Sequence, residues 1–229
     1  MAALAGCQES GFDESKETQR PLKVQHALDP LTGTKVPGLA ERPLTLTADA
    51  LGDTLALGVE PVGAGEVPPY LKARAGDVPV LPADRPAELE AVDPDVILGT
   101  KESNGDDYDV LRRIAPTVMS EGDDWKLNLR LHGEALGRTN DAEKLLIDWD
   151  NRVAKVRKAI AGRNISVFLI KPNDPPAAIG PVGESVLADL GIRSGTRGKR
   201  VLRVGTGPEW SSGGLLAARA VLDEVAASL

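Results

Sequence analysis

The sequence predicts an α/β protein in which one long rigid helix joins two lobes. Short apolar strands alternate with amphipathic helices along the chain, and this order is typical of parallel sheets covered by helices. For the long helix, Asn140 is a good N-cap, and the Glu143 carboxylate can bond to the free amides of the first turn. Gly162 can adopt the left-handed conformation that ends a helix. The roughly 20 residues between Asn140 and Gly162 would form a rod of about 30 Å, as long as a small domain is wide. Such a rod can connect two lobes.

The first lobe is predicted to begin with a strand at Pro43 to Thr47, followed by a helix from about Asp49 to Leu57 that Gly58 stops. The further elements expected in this lobe are a short strand at Pro61 to Gly63, an irregular proline-rich stretch at 68–86, a strand at Val96 to Gly99, a helix at Tyr108 to Ile114 and a strand at Thr117 to Met119.

The long helix carries one apolar stripe, so one of its faces is expected to be buried. The stripe consists of Ala142, Leu145, Leu146, Trp149, Val153, Val156 and Ile160. Trp149 is therefore assigned to the core and not to a binding site. Beyond the helix, NISVFLI and RVLRV predict strands, and ESVLADLG and LLAARAVLDEVAAS predict helices. The second lobe therefore has few predicted elements.

Composition limits what such a chain can bind. Its 229 residues, 41% apolar and 27% charged, suit one or two globular domains, and acidic and basic residues are mixed along the chain with a net charge of −7. A nucleic-acid surface needs concentrated Lys and Arg, so a cationic or neutral ligand fits better. One Cys and two His cannot build a side-chain cage for a transition metal, and we expect His26 and His132 to be structural.

Motifs for catalysis are missing from the sequence. It contains no Gly-x-Ser-x-Gly elbow, no Cys–His context and no HExxH helix. We therefore expect no catalytic residue and no cofactor. Turnover of generic ester or phosphate substrates would instead identify an enzyme.

The run from Leu4 to Cys7, LAGC, resembles the lipobox of bacterial lipoproteins. The polar residues that follow suit a tether between a lipid anchor and a folded body. Neither a basic nor an apolar signal region stands upstream, so we expect a clipped signal peptide and a lipid on Cys7. The alternative is a buried or incidental thiol.

Six segments, taken in order, carry a family resemblance. They are ALGVEPVG at Ala56 to Gly63, DPDVILGT at Asp93 to Thr100, IAPTV at Ile114 to Val118, WKLNLRLHGEALG at Trp125 to Gly137, GESVLADLGI and PEWSSGGLLAARAVLDE. The chain resembles, over nearly its whole length, the siderophore and cobalamin branch of the periplasmic-type substrate-binding proteins that feed ABC importers. The resemblance implies two α/β lobes joined by one rigid helix, with ligand held between them and little hinge closure.

The chain departs from the resembling family in its second lobe. After GIRSGT the family continues through a further strand–helix unit, whereas here RGKRVLRV follows almost at once. We therefore expect a truncated second lobe, with a sheet edge that could be unpaired. The family also carries acidic residues that dock on the permease, and their counterpart on the first lobe would lie near Glu88 or Glu90.

The resemblance implies an intact ferric siderophore as the ligand. Aromatic rings and an arginine guanidinium group could hold a siderophore of the hydroxamate type without any protein group ligating the iron. Trp210, in the turn GPEWSSGG that lines the cleft in the resembling family, is expected to be the main aromatic anchor. Trp125 begins a helix, where it either faces the cleft or forms a hydrophobic staple.

Four further side chains are candidates for ligand contact. Tyr70 and Tyr108 could donate to a hydroxamate oxygen or pack on the surface. Arg85 could supply positive charge or be solvated. Lys101, like Glu102, follows a predicted strand end, where open α/β sheets present ligand contacts, and a polar loop is the alternative.

These expectations divide the chain into four parts: a residual signal peptide, lipobox and tether at 1–21, an N-terminal α/β lobe at 22–139, the connecting helix at 140–162 and a short C-terminal α/β lobe at 163–229. The implied function is that of a monomeric ABC-importer component, lipid-anchored to the outer face of the cytoplasmic membrane, that captures a ferric siderophore and delivers it to the permease subunits. The alternative is a degenerate envelope lipoprotein that binds weakly or no longer delivers ligand.

Overall fold

The computed structural model describes residues 20–162, 165–169, 179–194, 200–204, 207–210 and 212–229, and for 166–169, 194, 200–204 and 208 it describes the backbone alone. Cys7 and most of its predicted tether lie outside these residues. Among the helices described, none is both long and apolar enough to cross a membrane.

A β-hairpin precedes the first lobe's sheet, and the sequence did not predict it. Its strands β1 (Leu22–His26) and β2 (Asp29–Val36) pair antiparallel. The second strand contains Pro30 and Gly33, both of which are depleted in strands, and this explains why the pattern was missed.

The first lobe is built on a parallel sheet of four strands in the order β4-β3-β5-β6. The strands are β3 (Pro43–Thr45), β4 (Gly63–Ala64), β5 (Val96–Thr100) and β6 (Thr117–Ser120). Leu44 pairs with Ile97, which in turn pairs with Thr117. All three side chains are fully buried, as expected of a parallel sheet that is covered on both faces.

Six helices accompany this sheet in the described part of the first lobe. They are α1 (Ala48–Ala56), α2 (Lys72–Ala75), α3 (Pro86–Ala91), α4 (Lys101–Asn104), α5 (Tyr108–Ile114) and α6 (Trp125–Ala135). The predictions of α1, α5 and α6 are confirmed. The short α2 lies in the stretch that was predicted to be irregular.

The long helix α7 (Thr139–Ile160) has 22 residues, and its apolar stripe is buried as predicted, with Trp149 0% exposed. The predicted N-cap is wrong, because the helix begins one residue before Asn140 and its N-cap position is Arg138. A tight turn from α6 sets this start. In that turn Gly137 has a φ of +69°, and a Cβ there would lie 2.0 Å from the Gly38 carbonyl oxygen.

The second lobe contains a parallel sheet in the order β8-β7-β9. Its elements are β7 (Ile165–Leu169), α8 (Pro181–Leu190), β8 (Arg193–Ser194), β9 (Arg200–Val204), a 3₁₀ turn at Pro208–Trp210 and α9 (Gly214–Ala227). The two predicted strands and two predicted helices are confirmed.

Side chains of both lobes and of α7 form one hydrophobic core. Trp125 of α6 and Trp149 of α7 meet edge to face, with ring centroids 5.0 Å apart. Asp189 of α8 accepts hydrogen bonds from Trp149 Nε1 at 2.8 Å and from Lys126 Nζ at 2.6 Å. The second lobe is thus held against the first by both packing and directed polar contacts.

A buried carboxylate joins α1 to α9. One oxygen of Asp53 accepts a hydrogen bond from the Leu215 amide at 2.8 Å, and the other accepts from His132 Nδ1 at 2.8 Å. The first amides of a helix have no partner within the helix, and Gly213 at the N-cap position has no side chain to supply one. Asp53 therefore caps α9 from the first lobe.

The Asp53–His132 pair is fully buried, and this shifts both pKa values. Burial raises the pKa of Asp53, and the hydrogen bond and charge of His132 oppose that change. Burial also acts to lower the pKa of His132, but the hydrogen bond and charge of Asp53 outweigh it, so this pKa is raised. The interpretation of His132 as a structural residue is consistent with this position.

Candidate ligand-binding cleft

A cleft of about 490 Å³ lies at the carboxyl edge of the first lobe's sheet. The strands β3, β4, β5 and β6 are parallel, so the residues that follow them meet at one edge. Thr100 lines the cleft from the end of its strand, and Thr47, Glu66 and Gly122 line it from positions just after theirs. This edge of an open α/β sheet is where ligands commonly bind.

The second lobe supplies the opposite wall of this cleft. Pro181 and Val182 line it from the start of α8, and Ser212 and Gly213 line it just before α9. Helix N-termini carry a partial positive charge, and α1, α8 and α9 all begin at the cleft. Both lobes must therefore be present for the cleft to form.

Carboxylates dominate the charge of the cleft. Asp49, Glu66, Glu102 and Asp123 line it, and no Lys or Arg is among its lining residues in the described part of the chain. The Ala48 amide donates to Glu66 at 3.1 Å. The described walls of the cleft therefore favour positive charge in a ligand, except close to the helix N-termini.

Backbone and hydroxyl donors orient two further carboxylates of the cleft. The Gly122 amide donates to Glu102 at 3.0 Å, and the Thr47 hydroxyl donates to Asp49. These hydrogen bonds fix the position of each carboxylate before any ligand arrives.

Trp125 lines the floor of the cleft, although its side chain is only 1% exposed. Its indole donates to Ser185 Oγ of α8 at 3.1 Å. Asp124 caps the helix, because its side chain accepts from the amides of Lys126 and Leu127. Trp125 therefore both packs against the second lobe and borders the cleft, and its contact with ligand remains a prediction.

Trp210 lies in the core, and its expected position on the cleft surface is wrong. The ring is 1% exposed and packs so close to α8 that a Cβ at Gly183 would lie 2.7 Å from it. Its indole donates to Glu224 of α9 at 2.7 Å. The 3₁₀ turn folds the ring back over the lobe, where Glu224 satisfies its one polar atom.

The two tyrosines lie outside the lining of the cleft. Tyr70 is half-buried next to Ser212 of the lining, where burial raises the pKa of its phenol to about 12 and the neighbouring Ser212 opposes that change. The ring of Tyr108 meets that of His26 edge to face, 5.7 Å between centroids. Only Tyr70 is near the cleft, through Ser212.

The two predicted cationic contacts are also engaged elsewhere. Arg85 is exposed and forms an ion pair with Glu88 at 3.1 Å. Lys101 forms an ion pair with Glu121 at 2.9 Å, which raises the pKa of Lys101. Glu88 and Glu90 are exposed on α3, on either side of the buried Leu89.

Several lining residues were missed by sequence reasoning. They are small or polar residues at strand ends, in the loops after strands or in the helices that begin there: Thr47, Asp49, Glu66, Thr100, Ser103, Asn128 and Ser212. The strand-end argument that selected Lys101 and Glu102 applied equally to Thr100, and of these three residues Thr100 and Glu102 line the cleft.

Metal coordination has no support among the described residues, which contain no group of three His, Cys, Asp or Glu side chains placed to hold an ion. His26 has a structural role in the hairpin. Its Nδ1 accepts from the amides of Leu28 and Met119, both at 3.3 Å, and its Nε2 lies 2.9 Å from Thr34 Oγ1.

Comparison with known proteins gives three kinds of similarity. A family model described as "Periplasmic binding protein" matches residues 45–200. The chain is 29% identical to the probable siderophore-binding lipoprotein YfiY of Bacillus subtilis (strain 168), over 75% of this chain and 56% of that protein. It is 28% identical to the achromobactin-binding periplasmic protein of Dickeya dadantii (strain 3937), over 76% of this chain and 65% of that protein.

The chain therefore spans less than two thirds of the length of either curated relative. Among solved structures, it is similar to Staphylococcus aureus SirA complexed with staphyloferrin B. The TM-score is 0.65 at 25% identity, and the match covers 91% of this chain and 83% of that one.

Proposed function

We propose that this chain, which belongs to the periplasmic binding protein family, captures an intact ferric siderophore in the cleft between its two lobes. The cleft of about 490 Å³ to which both lobes contribute is the observation that carries this proposal. A space of this size suits a ligand of a few hundred daltons. The names of the relatives, one a probable siderophore-binding lipoprotein and one an achromobactin-binding protein, support the same ligand class.

The chemistry of the cleft favours a chelate of the hydroxamate type with neutral or positive charge. Four carboxylates line the described walls, so a ligand with negative charge would be repelled over much of its surface. The protein contributes no iron ligand in this proposal, and the siderophore keeps the coordination shell of its ferric ion. The protein binds its cargo without chemical turnover.

Fluorescence quenching tests this proposal directly. Trp125 borders the cleft and the Trp149 ring lies 5.0 Å from it, so a coloured ferric complex bound in the cleft should quench tryptophan emission, that of Trp125 most strongly. We would titrate the full chain with ferric hydroxamates, ferric catecholates, cobalamin, achromobactin and staphyloferrin B. Trp125→Phe should bind the same ligand with a smaller change in signal.

The control titrations use free ferric ion and the iron-free siderophore. Tight binding of free ferric ion would contradict the proposal that the intact chelate is the ligand. Saturable binding of none of the complexes would contradict the proposed function as a whole.

Delivery to an ABC permease is the second part of the proposal. Glu88 and Glu90 are exposed on α3 and are the candidate docking residues on the first lobe. Replacing both by Gln should reduce siderophore uptake by cells and leave ligand affinity unchanged. Binding without any uptake by the unmodified protein would favour the alternative, an envelope lipoprotein that no longer delivers ligand.

A lipid on Cys7 would hold the protein at the outer face of the cytoplasmic membrane. The LAGC run and the polar segment after it support this proposal. Mass spectrometry of the protein from native envelopes should find a diacylglyceryl group on Cys7. An unmodified thiol in a soluble fraction would contradict it.

A further inference from the structure

A second cavity lies away from the cleft, between the region of α2, the middle of α7 and one face of α9. Its volume is about 260 Å³, and Tyr70, Arg74, Arg152, Arg219 and Asp223 are among the residues that line it. None of its lining residues also lines the ligand cleft. The cavity therefore requires a separate explanation.

This cavity adjoins a wider depression of about 710 Å³ along α7. Arg152 and Arg219 line both spaces, and Lys155 and Lys158 line the depression. The two spaces form one continuous surface, the basic groove, which contains Arg74, Arg152, Lys155, Lys158 and Arg219.

The charge of the basic groove is opposite to that of the whole chain. Five cations face it, against the carboxylates of Asp148 and Asp223, while the chain as a whole carries a net charge of −7. Asp223 is already engaged in an ion pair with Arg152. Positive charge thus remains uncompensated in a recessed part of the surface.

Arg219 is the cation whose environment is least satisfied. Its Nε atom is buried and has no hydrogen-bond partner among the described residues. Burial lowers the pKa of Arg219, and the nearby charges of Arg152 and Arg74 lower it further. A buried guanidinium N–H without an acceptor, beside two like charges, is costly. An anion in the cavity would offset the repulsion between Arg219 and the charges of Arg152 and Arg74.

We infer that the basic groove is a second binding site, which takes a phosphate-type oxyanion between Arg74, Arg152 and Arg219. A tetrahedral oxyanion can accept from several guanidinium groups at once, and arginine forks match the spacing of its oxygens. The cavity of about 260 Å³ has room for such a group. Because the site lies between α2 and α9, an anion bound there would cross-link the two lobes.

Calorimetric titration of the full chain with inorganic phosphate, at constant ionic strength in chloride, tests this inference. We expect saturable binding with one site. Arg219→Gln should weaken it by about tenfold or more, because the variant loses the charge-assisted hydrogen bonds that are the strong ones. Arg130→Gln is the matched control, since Arg130 is a partly exposed arginine of α6 that is paired with Glu143. It should bind phosphate like the unmodified protein.

A second variant separates binding from folding. Arg74 is exposed, so Arg74→Gln should fold normally and also weaken phosphate binding. The inference is overturned if the unmodified protein shows no saturable binding. It is also overturned if the Arg74 and Arg219 variants bind phosphate as tightly as Arg130→Gln does. Siderophore quenching in the same variants should be unchanged, so this inference and the proposed function are tested separately.

Vesicles distinguish the two sources of a phosphate group. If the full chain sediments with phosphatidylglycerol vesicles, but not with phosphatidylcholine vesicles, and Arg219→Gln abolishes this, the oxyanion is a lipid headgroup. If inorganic phosphate binds and neither vesicle does, it is a free anion. Binding to neither source would overturn the inference.

Discussion

Asp53 and His132 are 79 residues apart in the sequence, and their side chains form a hydrogen bond of 2.8 Å. Both side chains are fully buried. The carboxylate also holds the first turn of α9 through the Leu215 amide. Each partner makes the burial of the other tolerable, because a lone buried charge is far more costly than a paired one. The pair is therefore expected to control stability in a pH-dependent way.

Replacing His132 by Leu should leave the Asp53 carboxylate buried without its partner. We expect the free energy of unfolding to fall by about 3–5 kcal/mol near neutral pH. The loss should be smaller at about pH 5, because the raised pKa of Asp53 allows its carboxyl group to take up a proton and become neutral. Urea unfolding at both pH values measures this. Adding Asp53→Asn to His132→Leu is the control, and it should remove the part of the pH dependence that comes from the lone carboxylate, leaving only that of His132 in the unmodified protein.

The contribution of His26 to stability should depend on pH in the opposite direction to that of His132. Burial lowers the pKa of His26, so its contribution is complete above its ordinary value of 6.5 and is lost as the pH falls through the lowered pKa. The raised pKa of His132 makes its contribution complete below 6.5 and lost as the pH rises. From about pH 7.5 to 5, the unmodified protein should lose stability relative to His26→Gln. The measurement is the free energy of unfolding of each protein as a function of pH. The same pH dependence in both proteins would contradict this prediction.

Trp210→Ala should act on stability and not directly on ligand contact. Its ring is fully packed between α8 and α9, so we expect a loss of about 3–5 kcal/mol in urea melts, as for other buried aromatic rings. Trp210→Phe keeps most of the packing, loses the hydrogen bond to Glu224 and should cost about 1–2 kcal/mol. A Trp210→Phe protein of normal stability that binds siderophore much more weakly would argue for direct contact.

Removing one carboxylate from the cleft should weaken the binding of a cationic ferric hydroxamate. For Glu102→Gln we expect a loss of about two- to fivefold in affinity, the scale of a partly solvated charge interaction, and a larger loss at low salt. Glu134→Gln makes the same charge change on α6, outside the lining of the cleft. Equal losses in both variants would mean that only the net charge of the protein matters.

The elements with strong periodic patterns were predictable from the sequence, and the exceptions are elements that tertiary contacts determine. The stripe through Trp149 and the stop at Gly162 both hold in α7. Its start does not, because the close approach of Gly137 to Gly38 fixes the turn that enters the helix. The β1–β2 hairpin was missed because Pro30 and Gly33 interrupt the pattern of its second strand. Tertiary contacts outweighed local preference in both cases.

The cleft was predictable in place but only partly in its residues. The strand-end rule leads to the edge of the sheet where the cleft lies, and to Glu102, which lines it. The rule does not distinguish between neighbouring residues such as Lys101 and Glu102, and Lys101 forms an ion pair with Glu121 instead of lining the cleft. Trp210 was misplaced because its partner Glu224 is on the next helix, which a local pattern does not reveal.

The bond between Asp53 and the Leu215 amide spans 162 residues, so it has a consequence for synthesis. At a typical rate of about 5–20 residues per second, roughly 8–30 s pass between the appearance of Asp53 and that of Leu215. During that time α1 carries a carboxylate whose final partner has not yet been made. The first lobe cannot complete its polar contacts as an independent folding unit, and the nascent chain should stay susceptible to proteases and accessible to chaperones until α9 emerges.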